Sequence, residues 1–230
     1  MKINAEFDQR VVVHSEAMDW VSSPMPGVSR RPLDRVGEEV ARATTIVKYE
    51  AGSHFSPHVH TGGEEFIVLS GVFQDEHGDF PAGSYIRNPP QSKHKPGSDE
   101  GCVIFVKLWQ FNPEDRVHVR LNMNVMKAVP NNEFLGLAIN SLYCDEFEEV
   151  SVLDFGPDAE IQLNVEGGAE LIVLEGDLQE ADDSLVKHSW LRVPAGGKIQ
   201  AKAGSLGAKV WMKQGHLVRV NEEIERVLNA

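Results

Sequence analysis

The 230-residue chain is poor in several things, and each shortage excludes a class of protein. Cysteine occurs only at Cys102 and Cys144, with no CxxC pair, so neither a disulfide framework nor a cysteine-built zinc site is signalled. Two reduced thiols are expected. Basic residues are outnumbered, 22 Lys and Arg against 35 Asp and Glu, for a formal net charge of -13. Broad contact with a phosphate backbone needs clustered cations, so nucleic acid is not an expected partner.

Long apolar runs are also missing. No stretch approaches the roughly 20 apolar residues that span a bilayer, and the opening MKINAEFDQRVVVHSEAMDW has no apolar core of signal-peptide length. No membrane partner and a cytoplasmic location are therefore expected. Helical spacing of apolar residues is scarce, the best case being the terminal NEEIERVLNA, where Asn221 could cap and Glu222 and Glu223 suit a helix N-terminus.

What remains is strand-like. TTIVKY, EEFIVLSG, CVIFVKLWQF, VHVRLNMNVM, AELIVLEG and AKVWMK are short apolar runs broken by Gly, Pro, Asn and Asp. The block EEFIVLSGVFQDEHGDFPAGSYIRNPP from Glu64 returns as AELIVLEGDLQEADDSLVKHSWLRVPA from Ala169, at an ungapped offset of 105 residues. Glu65 pairs with Glu170, Leu69 with Leu174, Gly71 with Gly176 and Pro89 with Pro194. One β unit used twice follows, with a connector between Asn112 and Asn132 and domains at 1–120 and 121–230.

The chemistry sits in the first repeat. Gly52, His58, His60, Glu64 and Gly71 spell G(x)5HxH(x)3E(x)6G, and Gly83, Pro89 and His94 approximate G(x)5PxG(x)2H with Gln91 in place of the second glycine. Residues two apart on a strand share a face, so His58 and His60 point together. Thr61, Gly62 and Gly63 turn the chain, Glu64 starts the returning strand, and barrel closure brings in His94. Three imidazoles and a carboxylate suit divalent zinc, iron, manganese, nickel or copper and leave positions for water or substrate. Glu65 should face away from Glu64, and His54 precedes a bend at Pro57, so neither is expected to ligate. At the offset of 105 the four ligands become Leu163, Val165, Ala169 and Ile199, which predicts an apolar, metal-free second barrel.

These two spacings are the cupin motifs, and FSPHVHTGGEEFIVLSGVF, DFPAGSYIRNPPQSKH and GCVIFVKLWQF together resemble the cupin-like domain of the ChrR family, over roughly Thr44 to Phe111. The resemblance implies an all-β bicupin: two double-stranded β-helix (jelly-roll) barrels with a short C-terminal helix, the first holding one divalent ion per chain, zinc ahead of iron(II), manganese or nickel. It implies a small-molecule ligand in the N-terminal barrel, a possible homodimer, and either an oxidative-stress-related metalloprotein or a mononuclear oxygenase or isomerase for a diketone- or carboxylate-like substrate. ChrR proteins are zinc-containing anti-sigma factors, but their sigma-binding helical zinc domain has no counterpart in the residues before this barrel, so sigma-factor binding is not expected.

The opening 40 residues, with Trp20, Pro24, Pro26, Arg30, Arg31, Pro32 and Arg35, read as loop; the arginines either attract an acidic ligand at the barrel mouth, lie in solvent, or serve a subunit contact. Tyr85, Arg87, Cys102 and Lys107 are candidates to support the metal site, each with a structural reading beside it. Lys107 is the most noticeable because it interrupts an apolar run.

Overall fold

Alternating apolar residues and glycine-marked turns give antiparallel strands throughout the computed structural model, which describes residues 1–230. In chain order the main elements are β1 (Val11–His14), β2 (Val28–Gly37), β3 (Ala41–Tyr49), β4 (His58–His60), β5 (Glu64–Asp75), β6 (Ser84–Asn88), β7 (Ser92–His94), β8 (Cys102–Leu108) and β9 (Val119–Asn122). They continue with β10 (Leu137–Cys144), β11 (Glu149–Phe155), β12 (Glu160–Val165), β13 (Ala169–Glu180), β14 (Ser189–Val193), β15 (Gly197–Gln214) and α1 (Val220–Leu228).

Two compact units result. The first comprises Met1–Ala5, Asp19–Val125 and Asn221–Ala230, the second Glu6–Met18 and Met126–Val220. In the first, the sheet runs β2-β3-β8-β5-β6-β9, and β4 pairs with β7. In the second it runs β10-β11-β15-β13-β14-β1, with β12 on β15. β5 and β13 stand at the offset of 105, as do β6 and β14.

The repeated glycines have a shared cause. Gly71 and Gly176 both take positive φ, 72° and 70°, where the ladder shifts register. A Cβ on either would stand 2.0 Å from Gly101 O or 2.1 Å from Gly207 O, so only glycine fits.

Two sequence expectations need correction. The opening 40 residues are not loop: they carry β1, all of β2 and shorter strands at Lys2–Ile3 and Val21–Ser22. Pro32 is tolerated in β2 because it stands at the register shift between Pro32 and Asp34. Asn221 does not cap the terminal helix, since a 3-10 turn at His216–Arg219 leads into α1 and Asn221 lies inside it. Within the connector, the strand-like run VHVRLNMNVM does form a strand, Val119–Asn122, which pairs along β6.

Each unit has an apolar interior. In the first, Val28, Val47, Phe66, Val68, Phe73, Ile86, Ile104 and Val106 pack together. In the second, Val165, Ala169 and Ile199 are buried in the core and Leu163 packs against it, with Leu163 opposite Ile199 as His58 is opposite His94.

The opposite sheet face of the first unit carries a buried polar row, Arg87-Glu65-Lys107-Thr44-Asp34, aligned across five strands. The second unit repeats part of it as Arg192-Glu170-Lys213.

Candidate metal centre

β4 contributes two side chains of one parity. Val59 between them is 51% exposed, while His60 is buried. The turn that follows is packed too tightly for any side chain: a Cβ on Gly62 would stand 2.1 Å from the Trp109 ring, and one on Gly63 2.5 Å from Phe111. β7 lies antiparallel on β4, with His94 directly opposite His58 and Ser92 opposite His60. Gln91, at the position where the motif usually has glycine, adopts a left-handed φ of 69° and donates its N–H to His60 O at 2.9 Å. The glycine preference at this position is thus conformational.

The donor atoms converge. His60 Nε2 lies 3.1 Å from His58 Nε2 and 3.4 Å from Glu64 Oε2, and His94 Nε2 lies 3.6 Å from the same carboxylate oxygen. One ligand atom from each of the four residues falls within 4.8 Å of the others. Metal–ligand bonds of about 2.0–2.2 Å place adjacent donors about 3 Å apart and opposed ones about 4 Å apart, so the set can hold a metal ion. Two imine nitrogens at 3.1 Å can share at most one proton, whereas a cation at the centre satisfies both.

The far side of each ring is also held. His60 Nδ1 meets Ser92 Oγ at 3.1 Å, and His94 Nδ1 lies 3.4 Å from the buried Asp75 carboxylate. Asn88 Nδ2 donates to Glu64 Oε2 at 3.4 Å. These contacts fix which nitrogen faces inward. Burial holds His60 well below the ordinary imidazole range, at about 4, the Glu64 charge opposing and the His94 and His58 charges assisting. The neutral ring is the form that ligates. For His94, burial disfavours the cation, but the Asp75 bond and the Glu64 charge outweigh it and raise the pKa.

Sequence reasoning did not find Asp75, Ser92 or Asn88. Ser92 had a signal in strand parity, since it lies two residues before His94 on β7, where it faces His60. Asp75 had none, because it ends β5 and meets His94 only through tertiary folding. The supporting residues it named instead lie elsewhere. Tyr85 donates to Glu65, Arg87 pairs with Asp115 and stacks 4.1 Å over Phe111, and Lys107 donates to Thr44 Oγ1 at 3.0 Å. Glu65 belongs to that buried polar row, and its repeat partner Glu170 accepts from Trp190 Nε1 at 3.2 Å. Cys102 packs in the apolar core, where burial pushes its thiol up to about 11. His54 is exposed and faces Asp99 at 3.0 Å.

A cavity of about 520 Å³ reaches the quartet, with His58 and Glu64 in its wall. Val28, Val47, Phe55, Ile104, Val106 and Leu108 supply its apolar surface, and Thr45, Tyr49, Arg30 and Arg35 most of its polar groups. Burial, with the Glu64 charge next, pushes the Tyr49 phenol up, so it stays a neutral hydrogen-bond donor.

Two antiparallel barrels, one with this quartet and one filled by apolar residues, define a two-barrel cupin. Residues 8–112 match the family model of the ChrR cupin-like domain. A search of curated protein sequences returns no match. Among solved structures, the chain is similar to a proposed dioxygenase from Nostoc punctiforme, with a TM-score of 0.75 and 16% identity over 91% of this chain and 84% of that one. It is similar to protein Ylba from E. coli (TM-score 0.68, 14% identity, 91% and 92% covered). A third is the bacterial pirin YhhW from Escherichia coli in complex with nickel(II) (0.65, 14%, 90% and 98%). At these identities the likeness is one of fold. No helix is long and apolar enough to cross a membrane.

Replacing Asp75 by Asn is expected to weaken metal retention by about 10–100-fold while leaving the fold intact, because the amide cannot hold the His94 N–H as a carboxylate does. Competition against a chromophoric chelator measures it. Unchanged affinity would show that Asp75 does not support the site.

Proposed function

We propose that the first unit binds one divalent ion through His58, His60, Glu64 and His94 and presents it to a small oxygenated molecule, as a mononuclear metal-dependent oxygenase or isomerase. The observation that carries this reading is the cavity whose wall includes His58 and Glu64. A structural metal is enclosed on all sides; an ion here would face a chamber with room for a ligand. When bound, the ion supplies Lewis-acid or redox chemistry at that chamber. The chain's own residues exclude water with the apolar wall and offer a neutral phenol at Tyr49.

The ChrR family match favours a second reading, in which a redox-inert zinc ion makes the barrel a sensor of small oxidised molecules. Cys102 is a poor thiol for such a role, because it is buried and its pKa is raised. Native metal identity separates the two. Elemental analysis of untagged protein purified without added metal is expected to find about one ion per chain, and oxygen uptake should follow with members of a diketone and carboxylate panel. Tightly held zinc with no uptake and no turnover would overturn the enzyme reading in favour of sensing.

A further inference from the structure

The cavity is not uniformly apolar. Arg30 and Arg35 both line it, although five residues apart on one strand they should face opposite sides. The register shift between Pro32 and Asp34 resolves this. Leu33 is the extra residue, so Arg30 pairs with Val47 and Arg35 with Ala43, and both arginines share the inner face with Val28 and Pro32. The same shift sends Asp34 to the outer face, where its carboxylate accepts from Thr44 N at 3.0 Å and stands 3.6 Å from Arg42. The bulge therefore removes an acid from the cavity side and delivers a cation to it.

Neither cation is neutralised there. Arg30 forms no ion pair, and the Arg35 guanidinium donates to the backbone carbonyl of Glu38. The two lie close enough that Arg30, after burial, is the second cause lowering the Arg35 pKa, with Glu38 opposing. Two guanidiniums gathered in a half-apolar chamber are unfavourable unless an anion joins them.

Their placement relative to the quartet is fixed by the sheet. Arg35, Ala43, Leu108 and Glu64 form one row across β2, β3, β8 and β5. Three strand spacings, about 14 Å, separate the Arg35 and Glu64 backbones, and both side chains reach inward across that span. The surface between is Val47, Ile104, Val106 and Leu108.

We infer that Arg30 and Arg35 are the anion-binding end of this cavity, and that its ligand is a small carboxylate lying along the apolar row with its other oxygen-bearing end toward the His58–His60–Glu64–His94 centre. The inference rests on the reading of that quartet as a metal site. It selects an anionic molecule over a neutral diketone. Glu39, at the turn between β2 and β3, also lines the cavity and competes for the guanidiniums, so Glu39→Gln is expected to strengthen carboxylate binding.

The test uses the full chain loaded with cobalt(II), and two probes of nearly equal shape, acetoacetate and its neutral methyl ester. Cobalt content measured first reads the metal assignment; calorimetric affinity for each probe reads the arginines. Acetoacetate is expected to bind at least about tenfold more tightly than the ester. Arg30→Gln with Arg35→Gln should abolish that preference while cobalt content and ester affinity stay unchanged. Equal binding of the two probes, binding of neither at millimolar concentration, or a preference that survives in the double variant overturns the inference. Absence of cobalt from the parent chain alone overturns the metal reading instead. If circular dichroism shows the double variant unfolded, R30Q and R35Q carry the test singly, and an unchanged preference in both overturns it.

Discussion

The His60→Ala variant is expected to retain almost no metal, against about one ion per parent chain. His60 is the most central donor: its Nε2 lies within 3.4 Å of both the His58 nitrogen and the Glu64 oxygen. It is buried, held neutral by that burial, and oriented by Ser92, so no proton needs to be removed before it ligates. Alanine leaves a gap that solvent must fill and two remaining imidazoles that cannot close around the ion. His54→Ala is the matched control, since His54 is exposed and pairs with Asp99, and its metal content should equal that of the parent. A full equivalent of metal in His60→Ala would remove the quartet from consideration.

The largest stability effect is expected at Arg42. Its side chain is fully buried, with Nε 2.7 Å from Glu223 and a terminal nitrogen 3.6 Å from Asp34. Arg42→Met places an apolar chain of similar length between two buried carboxylates and removes the guanidinium that meets both. Breaking a buried pair in this way costs about 3–5 kcal/mol. Urea denaturation followed by tryptophan fluorescence should show the midpoint fall accordingly. Adding Glu223→Gln to Arg42→Met should recover part of the loss, because one of the two carboxylates that met the guanidinium is then uncharged. A loss below 1 kcal/mol, on the order of a surface pair, would mean that water reaches the site.

The quartet was legible because its geometry is local. Strand parity joins His58 to His60, one turn brings Glu64 alongside, and the antiparallel pairing of β4 with β7 places His94 opposite His58, all within 37 residues of sequence. The repeat made Leu163, Val165, Ala169 and Ile199 legible in the same way. Asp75 was hidden because an acidic residue at a strand end looks like ordinary surface until the fold brings His94 to it. The first 40 residues misled for a different reason. Proline and arginine in VSRRPLDRVG suggest loop, yet a bulge at Leu33 accommodates Pro32 and turns the apparent break into a continuous strand. Lys107 was noticed, but its reason is a row of polar residues spread over five strands, and no single segment contains that row.

The division of the chain has a consequence for how it is made. The first unit needs Asn221–Ala230, and the second needs Glu6–Met18. A ribosome therefore delivers the strands of the first barrel, with His58, His60, Glu64 and His94, well before it delivers Glu223, the acid that meets Arg42. Until Asn221–Ala230 emerge, that guanidinium lacks one of its counter-charges, so the first barrel is completed only after the segments of the second have been made.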